Sequence, residues 1–148
     1  MIMGIAKFER LFRVAAQLDV DKDDLKRLTD FVNQKIHDMM IMGVVAAKAN
    51  GRDIIRLYDL PITKGLQETM REFKKMDVEL ELQPILDQLA GLPQVELDYD
   101  EEVEAHLPEL VGAITVALAR TFKVLDTTLK NPQTEHWERA QRIFDQLL

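Results

Sequence analysis

The stretch from Asp21 to Ala49, DKDDLKRLTDFVNQKIHDMMIMGVVAAKA, limits what the rest of the chain can do. Leu25, Leu28, Val32, Ile36, Met39, Gly43 and Ala46 step by three or four residues, the spacing of one helix face. Phe31, Met40, Met42, Val44 and Val45 widen the apolar surface beyond that seam. Asp21 can cap the start, with Asp24 three residues on as in a capping box, and Asn50-Gly51 supplies a left-handed stop. A helix of this length spans about 40 Å. No short helix covers it, so it needs partners on more than one side. Gly43 and the Ala46-Ala47 pair leave room for a close crossing, and Met39, Met40 and Met42 read as core filler.

Shorter helices flank it. Ile5, Phe8, Leu11, Phe12 and Ala15 make the buried stripe of a helix from about Gly4 to Ala16, and Lys7, Arg10 and Arg13 step along another side. After the long helix, β-branched Ile54 and Ile55 predict a brief extended segment. Tyr58-Asp59-Leu60-Pro61 then opens a third helix with Pro61 in its first turn, the stripe Ile62, Leu66, Met70 and Phe73, and Lys74-Lys75 at its end.

The second half repeats the plan. Leu82, Ile85, Leu86, Leu89 and Leu92 follow Phe8, Leu11, Phe12, Ala15 and Leu18 at an offset of 74. Val103, Leu110, Ile114, Leu118 and Phe122 follow Leu25, Val32, Ile36, Met40 and Val44 at an offset of 78, and Trp137 and Phe144 follow Leu66 and Phe73 at 71. The uncharged run LVGAITVALA sits inside an amphipathic pattern, Pro108 should kink the second long helix or start it late, and Asn131-Pro132 reads as a cap and first helical residue. Two copies of a unit that cannot bury its long helix alone imply mutual burial, with residues 1–76 and 77–148 interlocked as one globular domain.

The first half resembles a histone fold of the archaeal type. The resemblance rests on the short helix ending in an Ala-rich turn, the long helix, and then G-R-x-x-I-x-x-x-D at Gly51, Arg52, Ile55 and Asp59. The whole chain is similar to a bacterial family in which two histone folds are fused in one polypeptide. The resemblance implies an all-α pseudodimer of two histone folds, short helix–long helix–short helix twice, in a handshake. It implies a structural clamp between Arg52 and Asp59. It also implies DNA contacts through paired loops and helix starts, carried here by Arg10, Arg13, Arg52 and Arg56, and Lys7 joins them as a candidate because it shares the first-helix ridge with Arg10 and Arg13. Other positions depart from the pattern. The basic residue of the first loop is Asp19, the residue after the motif arginine is Asp53, and Ile54 replaces a threonine. In the second copy Pro84 and Asp87 stand where Arg10 and Arg13 stand in the first, and the handshake implies that Arg52 and Arg56 lie near Glu96 and Asp98.

Charge divides along the same line. Residues 1–75 carry 14 Lys+Arg against 11 Asp+Glu, and residues 76–148 carry 5 against 15, so the halves are +3 and −10. The basic first half and the G-R…D motif make the leading expectation a histone-like architectural protein with weak, sequence-independent association with double-stranded DNA. The acidic second half favours the alternative, a protein-interaction module that keeps the fold without the DNA. There is no Cys, Gly-rich phosphate loop, nucleophile elbow or HExxH, so neither an enzyme nor a cofactor is expected. His37, His106 and His136 are spread over separate helices and argue for no metal, and Trp137 reads as a core anchor. No apolar run approaches the ~20 residues of a membrane span. The expected setting is cytoplasmic, nucleoid-associated if DNA is bound, with the chain a monomer or a homo-oligomer.

Overall fold

The computed structural model describes residues 5–82, 84, 86 and 94–148. Helix α1 spans Ile5–Ala16, α2 Lys22–Ala49, α3 Lys64–Leu80, α4 Glu101–Leu125 and α5 Thr134–Leu147. Two short strands, β1 (Ile54–Ile55) and β2 (Asp98–Tyr99), pair in parallel, Ile54 with Asp98 and Ile55 with Tyr99. The described residues are mostly helical, and the chain is all-α in class. Of the second-half stripe, Leu82 and Leu86 are fully buried, while Ile85, Leu89 and Leu92 lie outside the described residues, as do Gly4 and Asp87.

The element limits follow local chemistry. The capping box at the head of α2 forms: the Asp21 carboxylate accepts the Asp24 N–H at 2.9 Å, and the Asp24 carboxylate accepts the Asp21 N–H at 3.0 Å. Gly51 closes the helix with φ of 71°. Helix α3 begins later than Pro61, at Lys64, because the Thr63 hydroxyl accepts the Leu66 N–H at 3.1 Å and makes Thr63 the cap. It also runs past Lys75 to Leu80, across the division expected at 76/77, because Leu80 is a further buried position on its stripe. Likewise α5 starts at Thr134, two residues beyond Pro132, where His136 Nδ1 accepts the Gln133 N–H at 2.9 Å. Pro108 lies buried inside α4, seven residues past its start, so the helix does not begin late.

The core is centred on α4. Leu110, Val111, Gly112, Ala113, Ile114, Thr115 and Val116 are seven consecutive buried positions, so this stretch of the helix is covered all round instead of on one face. Its one hydroxyl there, on Thr115, is satisfied by the Val111 carbonyl at 2.8 Å. Helices α1, α2, α3 and α5 all pack on α4. At Gly112 the Phe73 ring of α3 occupies the space a side chain would need. Trp137 and Phe144 are buried on α5, edge-on to Phe122 and Phe31 respectively, with ring centroids 5.0 Å apart in both pairs. On α2 the apolar seam is buried as far as Val44 and Ala47, including Met39 and Met40. Met42 and Val45, expected to widen the core, stay exposed together with Ile41, because the helices that cover α2 lie on its other side.

Candidate nucleic-acid interface

The fold brings loops from the two halves together at two ends. At one end the β1–β2 ladder joins residues 54–55 to 98–99, and the Asp100 N–H extends it to the Ile55 carbonyl at 3.1 Å. At the other, the Asp19 N–H donates to the Lys130 carbonyl at 2.7 Å. Arg52, Arg56 and the start of α4 therefore share one surface.

On that surface each cation already holds a carboxylate of the chain. Arg52 donates two hydrogen bonds to Asp59, at 2.5 and 2.6 Å, and its guanidinium lies 5.0 Å from the Tyr58 ring centroid. Asp59 also accepts the Arg56 N–H at 2.8 Å, so one carboxylate ties the loop before β1 to the turn after it. Arg56 pairs with Asp100 at 3.0 Å, and Lys48 pairs with Glu96. Asp53 and Asp98 add two more negative charges beside them.

Asp100 is the telling residue. One of its oxygens accepts the Val103 N–H at 2.9 Å at the positive end of α4, while the other takes the Arg56 guanidinium. A helix N-terminus with an arginine beside it is a ready phosphate site, and here the chain fills that site with its own carboxylate. The Val103 N–H, and then Arg56, hold the Asp100 carboxyl below the usual carboxylate range. The start of α2 is occupied in the same way by Asp21 and Asp24.

The α1 ridge is partly neutralised. Lys7 donates to the Glu81 carbonyl at 3.2 Å, and Arg13 pairs with Glu9 at 3.7 Å and Asp19 at 3.3 Å. Arg10 is exposed and makes no ion pair or hydrogen bond with another described residue. Pro84, its counterpart at the 74-residue offset, is exposed as well. The histidines remain apart: His106 Nδ1 lies 2.8 Å from the Glu102 carbonyl, His136 caps α5 and His37 is exposed on α2. Among the described residues no three His, Cys, Asp or Glu side chains gather as a metal site, and no helix is long and apolar enough to cross a membrane.

A groove of about 730 Å³ between α2 and α5 is lined by Arg27, Phe31, Trp137, Glu138, Arg142 and Asp145, among others. Its charges are mixed, and it selects neither an anion nor a cation. Beside it, the fully buried Lys35 ammonium reaches Asp145, and Asp38 at 3.4 Å. Neither Lys35 nor the role of Asp100 stood out in the sequence. Asp100 had a signal, an aspartate directly before the EEVE that opens a helix, while Lys35 interrupts an apolar face and had none.

The carboxylates set a pH dependence. Hydrogen bonds hold Asp59, Asp100, Asp126 and Asp145 below the ordinary carboxylate range, led respectively by Arg52, the Val103 N–H, Thr128 and Lys35. A depressed folded-state pKa contributes stability that is complete above the unfolded value and disappears as pH falls through the folded one. Urea midpoints are therefore expected to hold between pH 7 and about 5 and to fall steeply below about pH 4. Asp59→Asn should give a lower midpoint at pH 7 and a shallower acid limb.

The comparisons with known proteins agree on kinship. A crystal structure of a protein from Thermus thermophilus is 58% identical, with a TM-score of 0.86 over 100% of both chains. A 1.9 Å crystal structure of a protein from Aquifex aeolicus is 25% identical, with a TM-score of 0.84 over 100% of this chain and 99% of the other. Two uncharacterized proteins of Aquifex aeolicus (strain VF5) are 26% and 30% identical, the matches covering 97% and 85% of this chain and 84% and 81% of theirs. A family model matches residues 8–145, and the chain accordingly belongs to the family described as Domain of unknown function (DUF1931).

Proposed function

We propose that this protein is a single-chain pair of histone folds that works as a non-enzymatic protein-interaction module, with its loop ends closed to DNA. The histone-fold reading is supported by the lengths of α1, α2 and α3, by the Gly51-Arg52…Asp59 pair, and by the joining of loops from the two halves at both ends. The functional reading is carried by one observation: the Asp100 carboxylate holds both the start of α4 and Arg56, the two groups a phosphate would need. A DNA phosphate there would have to displace a carboxylate while facing Asp53, Glu96 and Asp98. The acidic second half suits a basic protein surface better than a polyanion.

Arg10 favours a second reading, weak DNA association along α1, since it is exposed and carries no counter-ion among the described residues. Titration with random duplex DNA over a salt series separates the two. Association weaker than about 10⁻⁴ M at physiological salt is expected, since non-specific DNA binders typically reach 10⁻⁴–10⁻⁶ M. Asp53→Lys with Asp98→Lys should strengthen it at least tenfold. Micromolar binding by the unaltered chain, with a steep salt slope removed by Arg10→Ala, would overturn the interaction-module reading and establish the DNA one.

A further inference from the structure

The chain has three asparagines, Asn33, Asn50 and Asn131, and only Asn50 is followed by glycine. An Asn-Gly pair carries a reaction of its own. The glycine nitrogen bonds to the asparagine Cγ, the Cγ–Nδ2 bond breaks, and ammonia leaves with the proton of the glycine amide, giving a cyclic succinimide. Water then opens that ring at either carbonyl. One opening gives aspartate, the other isoaspartate, in which the main chain runs through Cβ. Glycine favours the first step because no side chain hinders the approach, and asparagine is accordingly among the thermolabile residues. Asn33 precedes Gln34, whose side chain crowds the attack, and Asn131 precedes Pro132, which has no N–H to lose.

Within the fold the reacting groups are engaged elsewhere. Asn50 and Gly51 are both exposed, so water has access. The Asn50 side-chain amide donates to the Ala46 carbonyl at 2.8 Å, which turns it back along α2. The Gly51 N–H, the attacking group, donates to the Lys48 carbonyl at 3.0 Å, and the Arg52 N–H donates to the Ala47 carbonyl at 2.9 Å. These two bonds make the paired closure of a helix end that Gly51, at φ of 71°, permits. Arg52 is tied twice: its N–H closes α2, and its guanidinium holds Asp59 at 2.5 and 2.6 Å. The clamp thus keeps the end of α2 shut, and the Gly51 nitrogen reaches the Asn50 Cγ only when that end opens.

The product cannot rebuild this end. An aspartate here loses the donor to the Ala46 carbonyl and sets a carboxylate at the negative end of the α2 dipole. An isoaspartate adds a methylene to the main chain directly before Gly51. The bonds to Lys48 and Ala47 then lose their register, and Arg52 is displaced from Asp59.

We infer that Asn50-Gly51 is a modification site gated by the closed end of α2: deamidation proceeds through the open form of that end, and the isoaspartate product keeps the loop before β1 open. This does not depend on what the loop ends bind. The test is peptide mapping by mass spectrometry of the full chain, incubated at neutral pH either folded or in urea above its unfolding midpoint. In urea Asn50 is expected to convert to aspartate and isoaspartate at least tenfold faster than Asn33 or Asn131. In the folded chain that conversion should slow at least tenfold, and hydrogen exchange of the Gly51 amide should show comparable protection. Arg52→Ala, with the circular dichroism spectrum retained, should recover several-fold of the lost rate. Urea below the midpoint, which needs no variant, should raise deamidation and Gly51 exchange in parallel. Equal rates in the folded and unfolded chain, or a slowing without protection of Gly51, would overturn the gate. Conversion in urea no faster at Asn50 than at Asn33 would overturn the site. An isoaspartate form, purified after ageing, that protects the Gly51 and Arg52 amides as the parent does would overturn the lasting opening.

Discussion

Gly112→Ala is expected to destabilise the protein by about 2–4 kcal/mol, although alanine is the better helix former by ~1 kcal/mol. A Cβ at this position falls deep inside the Phe73 ring, which is itself fully buried. The ring cannot be pushed into solvent as a lysine stem could, so either α3 moves off α4 or Phe73 leaves its seat. Overpacking of a filled core costs about 1–3 kcal/mol, and unseating a buried phenylalanine more. For a chain of this size the loss corresponds to a fall in Tm of roughly 5–15 °C. Two comparisons make the assignment specific. Phe73→Leu should cost less in the Gly112→Ala background than alone, because the smaller side chain relieves the clash. Gly65→Ala, where an added Cβ meets nothing within 4 Å, should be neutral or stabilising. Equal losses at Gly65 and Gly112 would show that backbone freedom, not the crossing, sets the cost.

That crossing also shows what was legible in the sequence. The stripe of α3 through Leu66 and Phe73, the seam of α2 and the repeat positions Val103, Leu110, Ile114, Leu118 and Phe122 were readable, because helix periodicity is a local property and all of these are buried except the half-buried Ala46. The capping box at Asp21 was readable for the same reason. The centrality of α4 was not. LVGAITVALA can be read as one apolar face with small fillers or as a helix covered all round, and only the helices around it decide. At the candidate interface the five cations were identifiable, but not how many would be neutralised. For Arg56 that depended on Asp100, 44 residues away, just as Lys48 beside it is held by Glu96 from a distance of 48 residues. The exposure of Ile41, Met42 and Val45 was hidden too. An apolar residue beside a buried seam looks the same in sequence whether it widens the core or faces outward.

Trp137→Ala should be about as damaging as Gly112→Ala, near 4 kcal/mol, and through a different cause. The indole is buried, edge-on to Phe122 of α4, and its Nε1–H donates to Asp24 Oδ1 at 3.0 Å. Asp24 is at once the last member of the α2 capping box and a buried carboxylate whose pKa desolvation raises, while the Asp21 N–H and the Trp137 N–H pull it back down. One side chain thus supports α5 against α4 and steadies a charge at the head of α2. Trp137→Phe separates the two roles: most of the ring contact survives, but the carboxylate loses a donor, for about 1–3 kcal/mol. The sign of its pH dependence is fixed. A carboxyl raised further in the folded state binds its proton more tightly there than when unfolded, so the deficit of Trp137→Phe relative to the parent should shrink as pH falls toward about 5. Urea unfolding of the two variants at pH 7 and pH 5 measures this. A deficit for Trp137→Phe that is independent of pH would mean that the indole acts by packing alone and that the bond to Asp24 adds nothing.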